Sequence, residues 1–174
     1  MKKFFTLMTL MLCAIVQGWA AEIYTITFDK ANVQTDQDNN VVSYFTWNSS
    51  KHNFNSKFNG ATYDGHTYAN GLKMEGATYV NWSSTADAKV TIVQSTWSNK
   101  TIKLDGDELD VSSATAGEGY REYVITDVPA GNHSVTRGNG ESGIFLIRVE
   151  YTGVVKTKLV APEISYDDET GLVT

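Results

Sequence analysis

Through most of residues 22–153, apolar and polar residues alternate with a period of two, and no stretch keeps apolar side chains at helical spacing for three turns. Successive side chains of an extended chain point to opposite faces, so this pattern predicts half-buried strands rather than helices. Candidate strands fall at residues 23–28, 41–47, 71–75, 78–82, 89–94, 101–104, 108–111, 122–126, 133–137 and 144–151. A spacing of about ten residues predicts an all-β fold, a sandwich of the jelly-roll kind.

The turn chemistry agrees with that division. Asp105-Gly106 separates Ile102 and Leu104 from Leu109 and Val111 as a tight hairpin does. Val128-Pro129-Ala130-Gly131-Asn132 joins the strands 122–126 and 133–137. The strand 144–151 is apolar on both faces at its start and on one face later, which places its beginning at the sandwich centre and its end at the rim. Between residues 48 and 70 the alternation fails, and Asn, Ser, Gly and Lys surround Phe54, Phe58, Tyr63 and Tyr68. This reads as a long loop, either functional or pinned by its own aromatics.

The amino-terminal segment sets the compartment. Lys2 and Lys3 precede an apolar run over residues 4–16 and then Gly18-Trp19-Ala20-Ala21, the organisation of a signal peptide over residues 1–21. The run is shorter than the roughly 20 residues a membrane-spanning helix needs. Cys13 is the single cysteine, and Leu12 before it is too large for a lipoprotein cleavage site, so no lipid anchor is expected. A secreted product is expected, whether periplasmic, cell-surface or extracellular. It would have neither disulfides nor a thiol nucleophile, so a packed core must hold it together. About 150 residues bury about two thirds of their unfolded surface, enough for one domain.

Net charge is −6, and loss of Lys2 and Lys3 with the signal makes it −8 (−6 − 2), with no basic stripe to displace phosphate counterions. Nucleic acid is therefore excluded as a partner. After residue 153 the character changes. Residues 154–158 look like a connector, and Ala161-Pro162-Glu163-Ile164-Ser165-Tyr166 followed by Asp167-Asp168-Glu169-Thr170-Gly171 looks like the opening hairpin of an immunoglobulin-like or fibronectin-like module. Residues 154–174 are thus expected to be a linker and the start of a truncated module, leading into linked downstream domains.

Tyr123-Val124-Ile125-Thr126-Asp127-Val128-Pro129-Ala130-Gly131-Asn132-His133-Ser134-Val135 resembles the penultimate hairpin of jelly-roll carbohydrate-binding modules, and the strand from Gly143 to Tyr151 fits their closing strand. With Gly71-Leu72-Lys73-Met74-Glu75 and Arg137-Gly138-Asn139-Gly140-Glu141-Ser142-Gly143, the chain resembles the amino-terminal module of secreted pectate-lyase-type proteins of gut and rumen bacteria. The resemblance implies a galactose-binding-like jelly-roll sandwich and a non-catalytic role beside a pectin-cleaving or other glycan-cleaving domain. No counterpart of a pectate lyase's parallel β-helix is seen in these residues.

Catalytic chemistry finds little support. Glycoside hydrolysis needs two carboxylates facing one cleft in environments that separate their pKa values, whereas Asp105, Asp107, Glu108 and Asp110 read as solvated turn and edge residues. Asp36-Gln37-Asp38-Asn39-Asn40 reproduces the first ligand positions of a calcium loop, but Val41 stands where the turn glycine belongs and Trp47 where the bidentate Glu belongs. An EF-hand is excluded. A looser calcium site on Asp36, Asp38 and Asn40 stays open beside an ordinary Asx-rich hairpin. His52, His66 and His133 show no zinc-ligand spacing, and no Gly-x-Ser-x-Gly elbow occurs.

Aromatic side chains carry the chemistry that remains, because sugar rings lay apolar C–H faces on Trp and Tyr while their hydroxyls take fixed polar partners. Trp47, Trp82 and Trp97 are the candidates. Trp82 shares a face with Val80, which favours the core for it, whereas Trp97 lies in a polar connection, Ser95-Thr96-Trp97-Ser98-Asn99. If the ligand is an acidic glycan such as pectin, Lys73, Arg121 and Arg137 are the cations to meet it. Glu141 lies near Arg137 and either joins the site or pairs with that Arg to hold the loop. The reading reached is a non-catalytic module that binds plant cell-wall or other polysaccharide. The alternatives are a structural or protein-interaction spacer, and the amino-terminal fragment of a polysaccharide lyase whose catalytic domain lies elsewhere.

Overall fold

The computed structural model describes residues 22–29, 32–37, 44–48, 54–55, 58, 60–97 and 99–152, with backbone alone for 32–37 and 55. The expected signal peptide and the 154–174 segment lie outside the described residues. Two antiparallel sheets face each other, as the alternation requires. The larger runs in the order β12 (Thr115–Ala116), β13 (Tyr120–Val128), β9 (Ala88–Ser95), β15 (Ser142–Tyr151), β1 (Ile23–Asp29) and β2 (Asn32–Gln37). Beside the start of β15 it also holds β7 (Gly71–Met74), and next to that β4 (Phe54–Asn55). The smaller sheet runs β11 (Asp107–Glu108), β10 (Ile102–Leu104), β14 (Gly131–Arg137), β8 (Tyr79–Ser84) and β3 (Thr46–Asn48). A separate hairpin pairs β5 (Ala61–Tyr63) with β6 (His66–Tyr68). This is the all-β jelly-roll type of sandwich expected.

The core lies between the sheets, where Ile26, Phe28, Leu72, Val80, Val90, Ile92, Val135 and Ile147 are fully buried. Each such side chain contributes about 1.5–3 kcal/mol on leaving water. β15 is central, paired to β1, β7 and β9, and its first six residues are all buried, as its sequence predicted.

A bulge between Ile144 and Leu146 explains how one strand can be apolar on both faces. Ile144 and Ile147 face the inter-sheet core, while Phe145 and Leu146 both turn to the outer side of the larger sheet. There a second core forms from Phe58, Ala61, Tyr68, Val93, Phe145 and Leu146.

That second core corrects the reading of residues 48–70 as a loop. The segment supplies β4 and the β5–β6 hairpin, and its aromatics Phe58 and Tyr68 are buried on the larger sheet. Strands of two or three residues are too short to show a period. Two other strands also need correcting. In the predicted strand 41–47, the described part turns to strand only at Thr46, while Val111, placed in a strand by its sequence, opens a 3-10 turn (Val111–Ser113). Asp110 caps that turn by accepting from the Ser112 amide at 2.8 Å, a local bond that competes with the ladder. The Asp105-Gly106 hairpin is as predicted. Both residues take positive φ, 54° and 94°, as a two-residue hairpin turn of the primed type demands.

Candidate functional site

At one end of the sandwich, two loops meet. Residues 96–100 leave β9 and residues 138–141 enter β15. Gly138 donates its amide to the Thr101 carbonyl at 3.0 Å, and the Thr101 amide donates to Asn139 Oδ1 at 3.1 Å. The Lys100 side chain lies against Gly140, where an added Cβ would stand 2.6 Å from Lys100 Cδ. Thr101 also donates its hydroxyl to Glu108. The two loops therefore behave as one ridge.

Trp97 stands on that ridge with 47% of its surface exposed. Its amide is fixed by Ser95 Oγ at 3.1 Å, and its ring meets Phe58 edge to face at 5.4 Å between centroids. The indole is thus packed against Phe58 of the second core with much of its surface still exposed, as a stacking platform needs.

The predicted cations converge on the same end. Arg121 on β13 is opposite Gln94, and its Nη2 donates to Asn99 Oδ1 at 2.7 Å, so this buried guanidinium holds the Trp97 loop from beneath. Lys73 on β7 is opposite Gly143 and reaches Glu141 at 3.2 Å and Glu75 at 3.5 Å. The Glu141 carboxylate raises the Lys73 pKa above the ordinary lysine range, and the ammonium is committed to these acids. Glu141 therefore ties the 138–141 loop to β7. Arg137, the residue before that loop, and Lys100 are exposed and make no ion pair among the described residues. Lys100 is not among the cations singled out from the sequence; its place three residues after Trp97 in a polar connection is the available signal.

Of the other two tryptophan candidates, Trp82 lies in the core and Trp47 is partly buried and packs against it. Trp82 is 4% exposed and meets Phe45 and His133, with ring centroids 6.0 and 5.3 Å away, which leaves little of its ring surface for a sugar. Trp47 is half buried and meets Phe28 and Phe54 edge to face. Of the calcium candidates, Asp36 lies on β2 opposite Thr25, and Asp38 and Asn40 lie outside the described residues. Among the described residues, no three His, Cys, Asp or Glu side chains gather to hold a metal ion.

His133 is buried between two acceptors. Its Nδ1 lies 2.7 Å from Asp105 Oδ2 and its Nε2 lies 2.9 Å from the Pro129 carbonyl. The pair staples the β10–β11 hairpin to the Pro129 turn.

Two hollows lie on the described surface away from this ridge. One, of about 690 Å³, opens on the smaller sheet between Tyr44, Asn81, Ser83, Asp105 and Asn132. The other, of about 280 Å³, lies between β1, β15 and the β5–β6 hairpin, where Arg148 donates to Asp64 at 2.8 Å. Tyr63 beside it donates to Glu122 at 2.6 Å, and burial with that carboxylate pushes its phenol pKa upward. Among the described residues, no helix is long and apolar enough to cross a membrane.

Comparison with known proteins adds the family. The model of Carbohydrate binding module 77 matches residues 22–147. A solved structure from a study of glycan recognition by the Ruminococcus flavefaciens cellulosome superposes with a TM-score of 0.51 and 23% identity, covering 74% of this chain and 93% of that one. At this identity the likeness is one of fold. The catalytic unit of a thermostable GH87 α-1,3-glucanase from Streptomyces thermodiastaticus matches at 15% identity and a TM-score of 0.32, over 49% of this chain and 21% of that one, too slight a likeness to inform the fold. No curated protein matches. The paired sheets and the match over most of their length place this chain in the Carbohydrate binding module 77 family, a non-catalytic sugar-binding family.

Proposed function

We propose that this module holds a secreted polysaccharide-degrading enzyme on an acidic plant cell-wall glycan of the pectin type. The observation that carries the reading is Trp97, an indole 47% exposed on a ridge that also bears Lys100 and Arg137, two cations with no carboxylate partner among the described residues. A sugar ring lies on the indole, and its carboxylate meets the ammonium and the guanidinium. The fork of Arg137 suits a carboxylate in two-point contact. No bond is broken. Binding raises the concentration of a linked catalytic domain at its substrate, the role expected of a module followed by a connector and further domains.

Affinity electrophoresis of the purified chain, in gels with and without pectin, tests the proposal. Retardation by pectin is expected. Replacing Trp97 by Ala is expected to abolish most of it, and Arg137→Ala to weaken it in a salt-dependent way. Unchanged mobility in every polysaccharide gel would favour a structural spacer instead.

A further inference from the structure

The outer face of the smaller sheet carries a surface of different chemistry. Strand alternation sends Asn81 and Ser83 of β8, Asn132 and Ser134 of β14, and Thr46 of β3 to that face. Cross-strand register arranges them in rows. Thr46 is opposite Asn81, which is opposite Ser134, and Ser83 is opposite Asn132. Neighbours within a row are about 4.8 Å apart, and rows are about 6.6 Å apart along the strands. The five side chains edge the hollow of about 690 Å³, within the roughly 300–1,000 Å³ usual for small-ligand sites.

Two observations say what this face would take. First, its hydrogen-bonding groups are unspent: none of these five side chains bonds to another described residue, and Asn81 Oδ1 is buried without a partner among them. Buried amides normally find partners, and turning the Asn81 amide outward would offer this one to a hydroxyl in the hollow. Second, no Lys or Arg among the described residues lines the hollow; Lys103 of β10, opposite Thr136, is the cation farther along the same face. Asp105 is the charged side chain at its margin, and both its oxygens are engaged, one by His133 at 2.7 Å and one by the Ser134 amide at 2.7 Å. Tyr44 closes one end, its ring stacked on Tyr24 at 3.8 Å and its hydroxyl 3.0 Å from that of Tyr151. A neutral sugar in the hollow meets hydroxyls, amides and an oriented aromatic ring, with the Asp105 carboxylate disfavouring an acidic one.

We infer that this open face is a second binding surface, for neutral, hydroxyl-rich glycan. The inference rests on the reading of the chain as a glycan binder and adds a distinct site to it. The two surfaces are separate: Asn132 and Arg137 lie at opposite ends of β14, about 17 Å apart at strand rise. A module built this way would grip a neutral chain on its sheet and an acidic chain on its ridge, which suits a wall in which both are interwoven.

The test is affinity electrophoresis of the full chain in pectin, xylan and β-glucan gels, with wild type, Ser83→Tyr, Asn132→Ala and Trp97→Ala. Ser83 is an exposed strand position that accepts Tyr in its backbone geometry, so this variant fills the hollow from the solvent side. Retardation in at least one neutral gel is expected, weakened about tenfold or more by Ser83→Tyr and by Asn132→Ala and retained by Trp97→Ala. Pectin retardation should show the reverse dependence, which also reports that Ser83→Tyr is folded. Wild-type mobility unaffected by both neutral glycans, or neutral retardation that survives Ser83→Tyr and Asn132→Ala, overturns the inference. Loss of pectin binding with neutral binding intact would instead sink the ridge reading and leave this one standing.

Discussion

The two sheets turn opposite surfaces outward. On the larger, Phe58 and Tyr68 lie over Val93, Phe145 and Leu146 and close the face with a second core. On the smaller, the same alternation delivers Thr46, Ser83 and Asn132, and these stay exposed. The segment richest in aromatics thus seals a surface, and the face that looks ordinary in sequence is left open. Aromatic content alone does not mark a binding surface in a β-sandwich; what matters is whether the strand beneath has already turned apolar residues outward to meet the rings. The bulge at Ile144 and Leu146 does that on the larger sheet, and the smaller sheet has no equivalent among the described residues.

The contrast breaks most easily at Phe58. Its removal as Phe58→Ala should cost about 3–5 kcal/mol in urea unfolding, while Ser83→Ala on the open face should stay within about 0.5 kcal/mol. Comparable costs at the two positions would erase the difference. Somewhat smaller is Gly143→Ala. A Cβ there would stand 2.5 Å from the Phe58 ring, so the seal must shift, at about 1–3 kcal/mol.

Alkali should act on the closed side as well. Burial pushes the Tyr68 phenol up to about 12, and burial followed by the Glu22 charge pushes Tyr24 to about 12. Unfolded tyrosines lose their proton near pH 10. Between pH 10 and about 12 the folded state therefore binds more protons, so stability present below pH 10 is lost as pH rises through that window. A denaturation midpoint that falls there, and falls less in Tyr68→Phe, is the expected outcome. The smallest expected effect is that of a chelator. With Lys100 and Arg137 supplying the positive charge, EDTA should leave pectin retardation unchanged, and its loss would restore calcium to the account.

Much of the fold was legible in the sequence because long strands carry their own period. The apolar run from Ile144 to Ile147 announced a central strand, Asp105-Gly106 a hairpin, and Val80 beside Trp82 a core indole. Residues 54–68 were not legible, since strands of two or three residues repeat nothing and their burial depends on a surface made by β9 and β15, distant in the chain. At the ridge, Trp97 could be picked out by its polar neighbours. The roles of Arg121, which supports Asn99, and Lys73, which holds Glu141, could not, because each is fixed by a partner that only pairing of the strands brings near. The open face is illegible in the sequence for a different reason. Asn, Ser and Thr at alternate positions are what any solvent-facing strand shows, and only register reveals that they fall in rows.

Tryptophan fluorescence during titration with a pectic oligosaccharide tests the ridge most directly, since Trp97 is 47% exposed, Trp82 only 4%, and Trp47 is half buried. The account predicts an emission shift to shorter wavelength that saturates with binding and disappears in Trp97→Phe. Binding seen by electrophoresis with wild-type emission unchanged, or a shift that persists in Trp97→Phe, would contradict it.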